Sequence, residues 1–278
     1  FSSIFVTLMW ILYYELDLIV IGKYLGAKSV AIFAIALTFT KFLRVLNSII
    51  FSPFQGRFNH YIGLNDKKGL RKILISAIKF SMPFFLLLIT SIVFLSENII
   101  LTWVGNDFLS SSFILSLLTL TFMFSFISTP ASNLYVTLEK INELYKSSFI
   151  MTTVFWLGVV LTIKHWGVNS FAIFKFIAGF IVMLYYLNHI IKFLKMSFKT
   201  FFKQTIFRMV LPLIIQVAFL AAIKNLLPAQ ESSINLISVI IAGGISTSIG
   251  LLTLYLTSND YYQIINIYIS KLLKNKLK

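Results

Sequence analysis

Apolar residues gather in eight runs along the chain, at 2–21, 29–50, 73–95, 113–136, 149–163, 168–186, 209–223 and 234–257. Most reach the ~20 residues that an α-helix needs to cross a bilayer core of ~30 Å, and the fifth and seventh are shorter. The pattern predicts an all-α, polytopic transmembrane bundle of eight spans. The outer gaps are short: a tight turn at 22–28, barely a loop at 164–167, and a Pro-containing link at 224–233. The longest, 96–112, carries an apolar stretch followed by Gly105-Asn106-Asp107, which reads as an interfacial half-helix and a turn.

Charge sets the expected orientation. Sixteen Lys and Arg residues fall in alternate gaps and in the tail, against four (Lys23, Lys28, Lys164, Lys224) in the opposite gaps. By the positive-inside rule the basic gaps are cytoplasmic, as are both ends of this chain, in a bacterial inner membrane. The gap 190–208 alternates Phe with Lys in the manner of a helix lying on a membrane surface, and the tail from Tyr261 to Lys278 has the same character. This divides the chain into a six-helix bundle (1–188), a basic connector (189–208), an appended helix pair (209–257) and a basic tail (258–278). The eighth span carries Gly243, Gly244, Ser246 and Gly250, whose small side chains suit close helix packing.

Composition agrees with a membrane assignment, with 58% hydrophobic and 12% charged residues against roughly 25% charged in soluble domains. A net charge of +15 invites a nucleic-acid reading. That reading fails because the cations flank spans and no soluble domain carries them; anionic membrane lipids are the expected partners. The chain has no Cys, and so no disulfide or thiolate metal site. His60, His165 and His189 have no HExxH spacing, and P-loop, GxSxG and GxGxxG motifs are absent. No catalytic residue, cofactor or metal is expected. The opening on Phe1, already inside an apolar run, suggests a piece of a longer protein.

Embedded charges are the sharpest functional clues, because burial there is costly and needs a partner or a pathway. Lys41 and Arg44 sit three apart in the second span, on a face extended by Ala31, Ala34, Thr38 and Ser48. Lys41 would lie about 18 Å from the outer end of its helix, slightly past the midplane. The first span has a stripe of Ser3, Thr7, Trp10, Tyr14 and Asp17. Asp17 is either hydrated near the outer end or faces Lys41 or a coupling cation across a cavity. Glu15 is about 200° round the helix from it, so the two do not form a carboxylate pair. Lys175, about 10 Å into the sixth span, needs a partner from another span. In the fourth span, Pro130 among Ser128, Thr129, Ser132 and Asn133 predicts a kink whose freed carbonyl neighbouring hydroxyls can satisfy.

The segment Leu16-Asp17-Leu18-Ile19-Val20-Ile21-Gly22-Lys23-Tyr24-Leu25-Gly26, followed by Val30-Ala31-Ile32-Phe33-Ala34, resembles a recurrent segment of polysaccharide-exporter flippases. Pro53 and the Thr137-Leu138-Glu139-Lys140 exit from the fourth span fit the same pattern. The family is that of the O-antigen and lipid-linked oligosaccharide flippases, within the multidrug/oligosaccharidyl-lipid/polysaccharide exporter superfamily. The resemblance implies two six-helix bundles around a central cavity, with spans one to six here forming the second. It implies an undecaprenyl-pyrophosphate oligosaccharide as cargo, moved by alternating access, and a polysaccharide polymerase as a pathway partner. Lys41, Arg44, Asp17 and Lys175 are the candidate substrate-binding residues. The rivals are a cation-coupled drug antiporter, which would want embedded carboxylates, and a membrane polymerase, which would want a large outer loop.

Overall fold

In a bilayer core no water is available to the backbone, so each span satisfies its N–H and C=O groups internally by becoming a helix. The computed structural model describes residues 2–228, 230–258 and 261, and among these there is no strand. The helices are α1 (Ser2–Tyr14), α2 (Leu16–Gly63), α3 (Lys67–Phe94), α4 (Ser96–Val104), α5 (Ser111–Thr121) and α6 (Ser125–Thr137). They continue as α7 (Ile141–Trp166), α8 (Asn169–Leu194), α9 (Phe198–Gln204), α10 (Val210–Lys224) and α11 (Ser233–Thr257). Seven helical segments are long and apolar enough to cross a membrane, and the first of these runs from Ile4 to Gly63. That segment folds back at Gly26 (φ 81°, ψ 174°), a conformation essentially reserved for glycine. The fold-back is visible in the contacts: Asp17 and Phe33, on either side of Gly26, both reach Lys175. The protein is therefore an all-α, multi-pass membrane protein, and with the break at Gly26 its described residues offer seven to eight helical stretches that could cross a membrane.

Turns at the two ends of the bundle use different chemistry. Gly26, Gly105 (φ 84°) and Gly167 (φ 53°) make turns at the end opposite the basic gaps. At the basic end the positive-φ residues are Asn65, Glu139 and Lys195, all near φ 55°, where the left-handed helical well tolerates a side chain.

Several helices outrun their apolar stretches. α2 passes through Pro53 to Gly63, so much of the expected polar gap 52–72 is helix. α7 begins at Ile141, eight residues before its apolar run, which makes the short fifth span a full-length helix. α8 continues to Leu194, and the surface helix of the basic connector is α9 alone, seven residues long. The half-helix and turn at 96–112 are present as α4 and Gly105, although α4 buries Asn98, Ile99, Ile100 and Thr102. The chain is interrupted in the fourth span by a 3₁₀ turn at Phe122–Phe124, while α6 stays helical through Pro130. The basic tail lies outside the described residues beyond Tyr261, whose hydroxyl donates to the Lys79 carbonyl at 2.6 Å.

α10 and α11 dock on α3 through buried polar groups. The Gln216 amide donates to the Leu87 carbonyl (2.8 Å) and the Ser91 hydroxyl (2.7 Å), and Ser91 also meets Ser246 (2.8 Å) and Thr247 (3.0 Å). The small-residue stripe packs here. A Cβ on Gly250 would lie 2.7 Å from Leu87 Cδ2, whereas Gly244 faces open space. Gly250→Ala is expected to cost about 1 kcal/mol, near the lower end of overpacking penalties because a leucine methyl can yield, and Gly244→Ala to cost nothing. Thermal unfolding of the two variants in detergent would show the difference.

Candidate functional site

Two apolar clusters stack along the bundle. One is centred on Phe58, Leu74, Ile78 and Ile190 at the basic end, the other on Ile21, Phe33, Phe155 and Phe171 at the opposite end. Between them lies a cavity of ≈ 220 Å³. α2 supplies one wall with Leu37, Thr40, Arg44 and Asn47, at the i, i+3, i+7, i+10 spacing of a single helix face. The fourth span supplies Thr121, Ser125, Ser128 and Thr129, α1 supplies Tyr13 and Tyr14, and α8 supplies Lys175 and Gly179. The interrupted helix thus turns hydroxyls toward the cavity. Thr129 donates to the Asn47 side-chain oxygen at 3.2 Å, so it joins two walls and does not satisfy the carbonyl freed by Pro130.

The four candidate residues divide. Asp17 and Lys175 form an ion pair at 2.5 Å, with both side chains buried. Asp17 is neither hydrated nor facing Lys41. Its other oxygen accepts from the Leu18 backbone N–H at 2.8 Å, at the start of α2 just past the break at Glu15. A carboxylate in the first turn of a helix also meets the positive end of the helix dipole. Lys175 sits among four rings, with its ammonium 5.1 Å from the centre of Tyr13, 5.4 Å from Tyr14 and from Phe155, and 6.0 Å from Phe33. The Tyr13 hydroxyl donates to the Lys175 carbonyl at 3.3 Å. Ion pairing and ring contacts together offset the loss of hydration that would otherwise expel this ammonium.

Arg44 faces the cavity with its guanidinium 4.3 Å from the centre of the Tyr14 ring and 5.9 Å from that of Trp10. No carboxylate of the described residues pairs with it. Counting Asp17, Lys175 and Arg44, the cavity carries one net positive charge.

Lys41 does not join Arg44. It is exposed on the outward side of α2, next to the exposed Phe42 and Val45. Three residues along a helix leave a 60° offset, which here separates the cavity from the bundle exterior. The small stripe of Ala31, Ala34, Thr38 and Ser48 is not the cavity wall either: the Thr38 hydroxyl donates to its own helix at Ala34, and Ser48 is exposed. In the first-span stripe Thr7 and Trp10 are exposed, and the Ser3 side chain lies outside the described residues. Tyr13, Thr40, Asn47, Thr121 and Ser125 are cavity residues that the stripes did not select. The spacing of Leu37, Thr40, Arg44 and Asn47 was the signal that could have found the α2 set.

The fold and this cavity define a multi-pass helical membrane protein with a polar, net-cationic interior site. No protein-family model matches the chain, and no curated protein sequence is significantly similar to it.

Proposed function

We propose that this bundle handles the pyrophosphate of a lipid-linked oligosaccharide in a flippase working by alternating access across a bacterial inner membrane, its basic end in the cytoplasm. The observation that carries the reading is Arg44, a guanidinium with no carboxylate partner among the described residues, facing a cavity walled by hydroxyls. An arginine facing phosphate forms short, often bidentate, charge-assisted hydrogen bonds. Ser125 and Ser128, which also line the cavity, can add neutral donors around it. A volume of ≈ 220 Å³ falls below the ~300 Å³ at which drug-sized sites begin, and suits a diphosphate with the sugars and the undecaprenyl chain outside. Lys175, already neutralised by Asp17, holds α1, α2 and α8 together beside the site. A polysaccharide polymerase that receives the delivered repeat unit is the pathway partner this reading implies.

Complementation tests it. In a bacterial strain whose own exporter gene is deleted, Arg44→Ala should lower surface polysaccharide at least tenfold at normal membrane protein level. That is the loss expected when one hydrogen bond to a charged group, worth about 1.5–3 kcal/mol, disappears. Arg44→Lys should retain part of the activity and Lys41→Ala all of it. Normal polysaccharide from Arg44→Ala would end the proposal.

The buried Asp17 gives a second reading, a cation-coupled drug antiporter, the embedded carboxylate such a protein needs. The charge-free pair Asp17→Asn/Lys175→Met separates the two. Under the flippase reading it still exports polysaccharide, and under the antiporter reading it loses ion-driven drug extrusion.

A further inference from the structure

A second site, independent of the cavity around Arg44, lies where the chain leaves α8. α9 is pinned by Phe201, which is buried in the cluster at the basic end, and is capped by the Ser197 hydroxyl, which accepts from the Thr200 N–H at 3.2 Å. Pinned in this way, α9 roofs an apolar cavity of ≈ 300 Å³. Its walls include Leu86 of α3, Ile127 of α6, Met183 and Leu187 of α8, and Phe201 and Phe202 of α9, with no polar surface among them. It reaches the bundle exterior past Leu184 and Phe198, which are both exposed.

The chemistry changes within one turn of α9. Phe198 and Phe202 line this cavity and also a neighbouring one shared with Lys199 and Lys203. Lys199 and Lys203 in turn border a depression with Thr200, Gln204 and Arg208. A dry slot is thus flanked by a cluster of cations, with no acidic side chain among the lining residues. Only an amphiphile with an anionic head and a hydrocarbon tail satisfies both halves. A free phosphate would leave the slot unused, and an uncharged lipid would leave the lysines unused.

We propose that α9 and the slot beneath it form a binding site for one anionic phospholipid, an acyl chain lying against Met183, Leu187 and Phe202 and the headgroup phosphate on Lys199 and Lys203. Electrostatic attraction and a single buried chain are each weak alone, and combined they retain a lipid.

The test is native mass spectrometry of the purified full chain, titrated with phosphatidylglycerol or phosphatidylcholine. Wild type should retain one tightly bound phosphatidylglycerol in preference to phosphatidylcholine. Lys199→Ala/Lys203→Ala should weaken that binding about 25-fold, roughly fivefold for each lysine near an anionic lipid, and leave phosphatidylcholine unchanged. Lys199→Arg/Lys203→Arg should retain it, as a charge-based site requires, and the unchanged phosphatidylcholine binding of the alanine variant shows that it is folded. Leu184→Trp, at the exposed mouth of the slot, should weaken both lipids. Equal phosphatidylglycerol retention by the double alanine variant would overturn the site. Displacement of the lipid by millimolar inorganic phosphate would overturn the assignment to a lipid.

Discussion

Lys175→Met is expected to destabilise the protein by about 3–5 kcal/mol, because it leaves the Asp17 carboxylate buried without its counter-charge. Asp17 is fully buried and lies 2.5 Å from the Lys175 ammonium. Methionine keeps most of the length and apolar volume of the lysine side chain, so the loss reports on charge more than on a cavity. The rings of Tyr13, Tyr14, Phe33 and Phe155, arranged to face a cation, cannot solvate the carboxylate left behind. Asp17→Asn/Lys175→Met should recover most of the loss, since removing both charges of a buried pair is often close to neutral. Denaturant unfolding in detergent micelles, with each single and the double variant, measures the coupling. A single Lys175→Met variant as stable as wild type would show that the pair supports nothing.

Gly158→Leu is expected to wedge α7 away from α8. A Cβ at this glycine would overlap the ring of Phe174, which is stacked on Trp166 at 6.2 Å between centroids and 18° between planes. The obstacle is a ring against a second ring, so it cannot swing aside as freely as the Leu87 methyl near Gly250. The expected cost is toward the upper end of the 1–3 kcal/mol seen for overpacked interiors. Phe174→Ala in the same chain should return part of it by vacating the space. Fluorescence-detected thermal unfolding of the four members of this cycle would test the contact, and strict additivity would count against it.

The two variants mark what could be read from the chain and what could not. The spans were legible because apolar runs of bilayer length leave the backbone no alternative to a helix. Helix ends were not, because the polar residues 142–148 and the stretch past Pro53 continue helices beyond the apolar core, and hydropathy reports burial in lipid, not helicity. The flanking glycine turns were legible at Gly26, Gly105 and Gly167. The partner of Lys175 was not, since it stands 158 residues away and no local spacing connects the two. The three-residue spacing of Lys41 and Arg44 joins them on one surface patch of α2, yet the boundary between cavity and exterior runs between them.

The sequence alone determined that this is an all-α, multi-pass membrane protein, which residues lie within spans, and that its cations favour alternate gaps. These are properties of single segments, set by hydrophobicity and backbone geometry. Tertiary structure decided that Asp17 neutralises Lys175, that Arg44 faces the cavity while Lys41 faces outward, and that α9 covers an apolar slot. Each of those depends on how far neighbouring helices rotate and slide when side chains from distant parts of the chain pack together. Charges within a few ångströms of one another interact strongly in a medium of low dielectric, and only packing determines which ones meet.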